Sequence, residues 1–283
     1  MSRRSLNPGW LLSTPALVLL SVFFLIPLAI LLPTSLRPFN SSSGIQSGWT
    51  LANYVAILSD SFYAEIMLRT IVLGVLVSAI CLVLGWPIAS VIARSQSRYK
   101  FILVLVVIFP LLIDVVVRSF GWIVLLSDKG IVNELLIGLG ITSGPVQLIF
   151  NFVGLLIGMV HLMLPFMILI LSSAIRAIPS DLEHASATLG SRPAATFLYV
   201  TIPLAMPGIV AGSILVFVLT ISSMVTPRLL GGPTYRVMAS TIYDEFLQLL
   251  NWPMGAALSS LLTAIVLVLV VLSGKLTQKW SPR

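Results

Sequence analysis

The few residues of this chain that could do chemistry lie within apolar stretches of the sequence. Asp114 and Arg118 stand four residues apart in one such stretch, a spacing that predicts an acid and a base stacked on one helix face. Because an ion pair facing lipid is costly, this pair is expected to face protein or water. Three interpretations stay open: a lining of a substrate path, a structural pair within a helix bundle, or an arginine that reaches the membrane interface.

His161 is the third candidate for a substrate path, since it lies beside Met159 and Met163 in another apolar stretch. A packed or path-lining histidine is favoured over a metal ligand, because no Cys/His cluster with metal-binding spacing occurs and Cys81 is the sole cysteine. No nucleophile–base constellation and no G-x-x-x-x-G-K-[ST] phosphate loop occurs either. The sequence therefore predicts a chain that is no enzyme and binds no metal or cofactor itself, so that any ATP chemistry must come from a partner.

The composition places these residues in a membrane protein. Hydrophobic residues make up 58% of the 283 residues, charged residues only 9%, and the mean hydropathy is +1.09, whereas soluble domains carry about 25% charged residues. The net charge of +7 is scattered in short clusters between apolar blocks, which favours contact with lipid headgroups and disfavours nucleic acid. A single transmembrane domain over 1–283 is predicted.

Six apolar stretches are long enough to cross a bilayer as helices, because the backbone in lipid must satisfy its own hydrogen bonds. The fold class predicted is all-α, a polytopic membrane protein with six transmembrane helices. The expected spans cover 11–33, 70–93, 101–126, 149–174, 205–226 and 254–274. The first is interpreted as a retained span and not a cleaved signal peptide, since it is long and no A-x-A-like site follows it.

Basic residues fall mainly on one side of the predicted spans, which the positive-inside rule assigns to the cytoplasm. Both termini and the 2–3 and 4–5 loops are therefore predicted to be cytoplasmic. The residues concerned are Arg3, Arg4, Arg94, Arg98, Lys100, Arg176, Arg192, Lys275, Lys279 and Arg283.

The 4–5 loop, about 176–204, is predicted to form two short helices at the membrane surface. Ser180 and Glu183 match a capping box, and Gly190 suits the left-handed position that ends a helix. Ser191 is expected to cap a second helix with Pro193 in its first turn. Small residues between Glu183 and Gly190 leave room for a partner to pack closely.

This loop resembles the EAA motif of binding-protein-dependent ABC importer permeases. The stretch Glu183-His-Ala-Ser-Ala-Thr-Leu-Gly190, nine residues, then Val200-Thr-Ile202-Pro203 matches the family pattern of E-A-A, three residues, Gly, nine residues and I-x-L-P. Registered on Gly190, the glutamate position falls on His184 and the alanines on Ala185 and Ser186. Glu183 lies one residue early.

Further motifs resemble the spermidine/putrescine-type branch of that family: Pro110…Arg118-Ser-Phe-Gly-Trp122, Leu126…Gly130-Ile-Val-Asn133, Leu230-Gly-Gly-Pro233 and Trp252-Pro-Met-Gly-Ala256. The resemblance implies a type I ABC importer permease fold in a bacterial inner membrane. It implies a second permease subunit, a periplasmic solute-binding protein, and a cytoplasmic ABC ATPase dimer that carries ATP and Mg²⁺. It also implies that the ATPase docks on the loop, through Glu183, His184, Ala185, Ser186, Gly190 and Arg192.

The function expected is ATP-driven import of a small organic solute, with a polyamine such as spermidine or putrescine as the first candidate. An ABC permease for another solute, such as an amino acid derivative, an opine or another organic ion, stays open. A secondary transporter that needs no ATPase is a further alternative, although the internal repeats typical of that class are not evident. A membrane scaffold without transport activity is the third.

Overall fold

The computed structural model describes the backbone of residues 8–280 and the side chains of residues 13–274. Long helices dominate this part of the chain. A hairpin of two strands, each of two residues, lies between the first and second helices. The helices are α1 Pro8–Ser35, α2 Ala52–Ser59, α3 Ser61–Arg94, α4 Lys100–Ile108, α5 Val115–Leu126, α6 Ile131–Gly138, α7 Phe152–Arg176, α8 Ser180–Thr188, α9 Pro193–Thr196, α10 Ile202–Ser222, α11 Met238–Leu247 and α12 Trp252–Trp280, and the strands are β1 Phe39–Asn40 and β2 Gly44–Ile45.

Five helical stretches are long and apolar enough to cross a membrane, and a sharply bent helix pair makes a sixth candidate. The continuous stretches are Ser13–Ser35, Ser61–Arg94, Phe152–Arg176, Pro193–Ser222 and Trp252–Gly274. The predicted all-α polytopic architecture is confirmed, with helix ends that extend beyond several predicted spans. The hairpin, α2 and α6 were not predicted, because segments of at most eight residues are too short to give a span-length hydropathy signal.

The third predicted span is not one continuous helix. The chain from Lys100 to Leu112 and the chain from Val115 to Gly138 meet at a bend of 96°. Pro110 lies in a 3-10 turn at the end of the first part, where its missing N–H and rigid ring disfavour continuation of the helix. Asp114 then begins α5 as its N-cap, since its Oδ1 accepts a hydrogen bond of 2.7 Å from the N–H of Val116.

The described residues divide into two compact units. One holds 8–61 and Ile242–Thr263, and the other holds Phe62–Thr241 and 264–280. In the first unit, the buried side chain of Asn53 donates from Nδ2 to the carbonyls of Ser35 (2.8 Å) and Arg37 (3.0 Å). These bonds fix α2 against the end of α1 by satisfying carbonyls that a helix C-terminus leaves open. The single domain over 1–283 stays a prediction.

The core of the second unit is built around α7. Half of the residues in the most apolar stretch of this helix are buried. Asn151 starts this helix by accepting a hydrogen bond of 3.0 Å from the N–H of Gly154. Small residues let neighbouring segments approach closely. A Cβ at Gly158 would lie 2.2 Å from the side chain of Leu230, and one at Gly208 in α10 would lie 2.1 Å from Ala174 in α7. Such contacts are typical of helix packing in membranes.

A polar cluster joins the first turns of α3 to the segment before α11 within the second unit. Arg69 pairs with Glu65, donates to the carbonyl of Thr234, and lies over the ring of Tyr235 at 5.0 Å. Burial raises the pKa of Tyr235 above its ordinary value; Arg69 opposes this effect and Glu65 adds to it. The phenol therefore stays neutral at physiological pH and presents an intact ring to the guanidinium.

Candidate coupling helix and substrate path

The first helix of the 4–5 loop forms as predicted but begins differently. Pro179 is the N-cap of α8, and it makes no side-chain capping bond. The predicted capping box is therefore wrong, because Ser180 is already the first helical residue and Glu183 is directed to other partners. The negative first turn is confirmed, with Asp181 and Glu183 near the positive end of the helix dipole.

Gly190 ends α8 in the left-handed conformation predicted for it, with φ of +80°. Its N–H donates to the carbonyl of Ala187 at 3.0 Å, and the N–H of Ser191 donates to the carbonyl of Ser186 at 3.1 Å. These two bonds make a Schellman motif, which satisfies carbonyls at the helix end. A left-handed backbone strongly favours glycine, so the sharp exit from α8 depends on this residue.

The second helix starts at Pro193, as predicted, but Ser191 does not cap it. Arg192 occupies the N-cap position and makes no side-chain capping bond. The helix continues through a π-helical turn at Phe197–Thr201 into α10, giving one apolar stretch from Pro193 to Ser222. Pro203 explains the wide turn, because it cannot donate to the carbonyl four residues earlier and its ring crowds that carbonyl.

Glu183 is turned toward the membrane helices and not outward. Its Oε1 accepts hydrogen bonds from Arg94 Nη2 at 2.7 Å and from Thr201 Oγ1 at 3.1 Å. Arg94 Nη1 also donates to the carbonyl of Ile178 at 2.9 Å. Arg94 is the last residue of α3, where a positive charge is favoured by the helix dipole. Sequence reasoning treated Arg94 only as a topology signal, and nothing in its local sequence indicates a partner 89 residues away.

The other residues predicted to dock a partner separate into two groups. Ser186 also points inward, where its hydroxyl lies 3.0 Å from that of Thr196. The exposed group consists of His184, Ala185, Gly190 and Arg192. Leu189 belongs with them, since 88% of its surface is exposed. An exposed leucine at the end of a surface helix is a feature that sequence reasoning missed, and it offers apolar area to a partner.

A cavity of about 370 Å³ lies between α8 and the membrane helices. Its wall combines the Arg94–Glu183 pair with Trp86, Ala187 and Phe197. The rings of Trp86 and Phe197 meet edge to face at 5.4 Å.

Asp114 and Arg118 lie one helical turn apart at the start of α5, because the N–H of Arg118 donates to the carbonyl oxygen of Asp114 at 3.1 Å. Asp114 is the N-cap of α5 and lies outside the helix, while Arg118 is in its first turns. The described ion pairs within 4.0 Å do not include these two residues. The Nε and Nη1 atoms of Arg118 are buried without a hydrogen-bond partner, a costly state for a guanidinium. Asp114 is exposed.

His161 lies on α7 and contacts α5. The indole Nε1–H of Trp122 donates to His161 Nδ1 at 3.1 Å, and the two rings meet edge to face at 5.5 Å. Because Nδ1 accepts this bond, a neutral His161 carries its proton on Nε2. In the part of the chain that the structure describes, no group of three or more His, Cys, Asp or Glu residues could hold a metal ion.

These features define a class of protein: a helical membrane protein with a short helix at its surface, held by polar contacts on one side and exposed on the other. The chain belongs to the family of binding-protein-dependent transport system inner membrane components, whose family model matches residues 82–283. It is a permease subunit of an ABC importer and a component of the inner membrane.

Relatives in this family cover most of the chain. The spermidine/putrescine transport system permease protein PotB of Escherichia coli strain K12 is 33% identical over 258 residues, which cover 91% of this chain and 90% of that protein. The protein of the same name from Haemophilus influenzae is 34% identical over 248 residues, covering 88% and 86%.

A solved structure shares the fold at low sequence identity. A bacterial ABC transporter involved in the import of the acidic polysaccharide alginate matches with a TM-score of 0.75 at 19% identity, covering 97% of both chains. A second match is the inward-facing MetNI methionine ABC transporter, with a TM-score of 0.60 at 15% identity, covering 79% of this chain and 100% of that one. Together with the helices described above, these matches confirm the type I importer permease fold.

Proposed function

We propose that this chain imports a polyamine such as spermidine or putrescine as one of two permease subunits driven by a cytoplasmic ABC ATPase dimer. The observation that carries the substrate is its 33% identity, over 91% of its length, to a permease named for spermidine and putrescine transport. ATP and Mg²⁺ bind to the ATPase, since this sequence has no phosphate loop.

The ATPase docks on the exposed side of the coupling helix, which we define as α8 with its glycine end at Gly190. His184, Ala185, Leu189 and Arg192 offer a mixed polar and apolar contact on that side. The coupling helix and both termini face the cytoplasm, because the surrounding loops hold most of the basic residues. A periplasmic solute-binding protein delivers the substrate on the opposite side.

Asp114 and His161 are proposed to line the substrate path. Asp114 offers an exposed carboxylate at the break of the third span, and a carboxylate attracts the ammonium groups of a polyamine. Irregular backbone at membrane depth is tolerated where it is buried in protein or lines a water-filled cavity. The break between Ile113 and Val115 is therefore a suitable place for a path.

A second candidate substrate is an organic anion, and one observation favours it. Arg118 has two buried guanidinium nitrogens without acceptors, and a carboxylate would satisfy them by charge-assisted hydrogen bonds. The candidates differ in the sign of charge that the path must accommodate.

The solute-binding protein that co-purifies with this permease, or that is encoded beside it, separates the candidates. Calorimetric titration with spermidine, with putrescine and with a small dicarboxylate measures its preference. We expect binding of a polyamine. Binding of the dicarboxylate alone would contradict the polyamine assignment and support the anion, while leaving the importer class intact.

A further inference from the structure

The coupling helix is attached to the rest of the chain by polar contacts. None of the nine residues of α8 is buried, so the helix lacks the apolar anchoring that holds most surface helices in place. Its side-chain hydrogen bonds to other elements are those of Glu183 with Arg94 and Thr201, and of Ser186 with Thr196. Any movement of α8 must be resisted or transmitted largely by these bonds and by its two chain ends.

Three separate elements meet at Glu183. Arg94 ends α3, and Thr201 lies in the π-helical turn that leads into α10. Arg94 also holds the carbonyl of Ile178 in the connection between α7 and α8. The guanidinium of Arg94 therefore fixes the start of the coupling helix to α3. The carboxylate of Glu183 fixes the same helix to the turn that leads into α10.

The contact between Arg94 and Glu183 lies where it can transmit movement in a defined direction. The side chains of Arg94 and Glu183 keep 30% and 27% of their surface exposed, so neither is locked in a dry core. The cavity of about 370 Å³ beside them leaves space for α8 to shift. Guanidinium and carboxylate form strong, directional bonds, which suits a joint between elements that move together.

We propose that Arg94, Glu183 and Thr201 form a clasp that transmits movement of the coupling helix to membrane helices α3 and α10. Arg94 is the positioning residue of this clasp. Glu183 then acts inside the permease, and the polar contact to the ATPase falls to exposed His184, the next residue. This inference rests on the proposed function, because it requires an ATPase that moves α8.

The clasp predicts a loss of coupling without a loss of assembly. In the complete complex reconstituted into liposomes, Arg94→Gln removes the charge that holds Glu183 but leaves the exposed side of α8 unchanged. We expect normal co-purification of the ATPase and continued ATP hydrolysis. The amount of labelled spermidine imported per ATP should fall about tenfold. A factor of this size is typical of the coupling between two sites in one protein.

Three further variants make the test specific. Arg98→Gln is the matched control, because Arg98 lies four residues after Arg94 and its described side-chain contacts are with Tyr99. This variant should import normally. Arg94→Lys keeps the charge but not the two-pronged geometry, so its ratio should be intermediate. Exchanging the charges in Arg94→Glu/Glu183→Arg should recover part of the ratio lost by either single variant.

The outcomes separate this inference from the proposed function. An Arg94→Gln complex with an unchanged ratio of import to hydrolysis would overturn the clasp. So would loss of ATPase co-purification in that variant, with hydrolysis and import falling in parallel, because Arg94 would then be a structural residue. If instead the unaltered permease fails to bind any ATPase, the proposed function itself fails.

Discussion

Gly190 is the residue on which the end of the coupling helix depends most directly. Its φ of +80° lies in the left-handed region, and a Cβ added there would meet nothing within 4 Å. Substitution by valine is therefore unfavourable through the backbone and not through a clash, at a cost of about 1–2 kcal/mol. We expect Gly190→Val to insert in the membrane but to lose several-fold in ATPase co-purification and solute uptake.

Two variants control for the strain itself. Gly140→Val places the same residue at another left-handed glycine, with φ of +71° and nothing within 4 Å of an added Cβ. Gly140 lies outside the 4–5 loop, so this variant should keep ATPase binding. Gly190→Asn tolerates the left-handed region and should retain most of the activity. Normal transport by Gly190→Val would show that the end of α8 is not a docking element.

The Asp114 carboxylate can be tested for its charge separately from its cap. Asparagine is as good an N-cap as aspartate, whereas alanine costs about 0.5–2 kcal/mol. If the path carries a polyamine, Asp114→Asn should reduce spermidine uptake while leaving the thermal stability of the purified protein unchanged. Asp114→Ala should reduce both. Uptake by Asp114→Asn at the unaltered rate would remove this residue from the path.

Some residues whose role is local were predictable from the sequence, although the capping roles predicted for Ser180 and Ser191 were not confirmed. Gly190 and Pro193 follow from backbone conformation, and both take the predicted positions. Glu183 shows where such reasoning ends: its position in the first turn was predicted, but its direction depends on Arg94, which is distant in the sequence. The same holds for the hydrogen bond between Trp122 and His161, which joins α5 to α7.

At the scale of elements, the contact of α7 with α10 depends on a close approach of backbones. A methyl group at Gly208 would lie 2.1 Å from the Cβ of Ala174, and neither short side chain can bend away. Gly208→Ala should lower the melting temperature in detergent, because overpacking of a tight interface costs about 1–3 kcal/mol. Tryptophan fluorescence during a thermal ramp measures the change.

A compensating variant and a neutral one complete that experiment. Gly208→Ala/Ala174→Gly moves the methyl group to the opposite helix and should recover most of the lost stability. Gly121→Ala adds a methyl group to α5 where nothing lies within 4 Å, so it should not destabilise the protein. A Gly208→Ala protein as stable as the unaltered one would contradict the packing described here.

Most of the helices were predictable, because span-length apolar runs have few alternatives in a membrane. The interruption of the third span was not, even though its signals are present in the sequence. Pro110 disfavours helix continuation, and Asp114 four residues later is a suitable residue to start a new helix. Hydropathy across the two parts is continuous, so a hydropathy-based interpretation merges them.

At the scale of the whole molecule, the orientation in the membrane is the first quantity to measure. We expect Ser42→Cys to react with a membrane-impermeant maleimide added from outside intact cells, and Thr188→Cys to react only after the inner face is opened. Both positions are exposed. A Cys81→Ala background removes the native thiol, which is buried. The opposite accessibility would contradict the cytoplasmic placement of the coupling helix.

The family and the fold were predictable from the sequence because the 4–5 loop keeps a characteristic spacing between Glu183 and Pro203. The substrate was less accessible, since the charged groups of the third span carry opposite signs and do not form the expected pair. Under the proposed function, the hydrolysis site and part of the solute specificity lie on partner chains.

Under the proposed function, ATP hydrolysis by a partner drives solute import through this chain. Uptake of labelled spermidine by liposomes containing the complete complex, with ATP enclosed and the binding protein outside, tests it directly. We predict uptake that requires enclosed ATP, requires the ATPase and persists when the proton gradient is abolished. Uptake that proceeds without ATP or the ATPase, and that disappears with the proton gradient, would contradict the claim and indicate a secondary transporter.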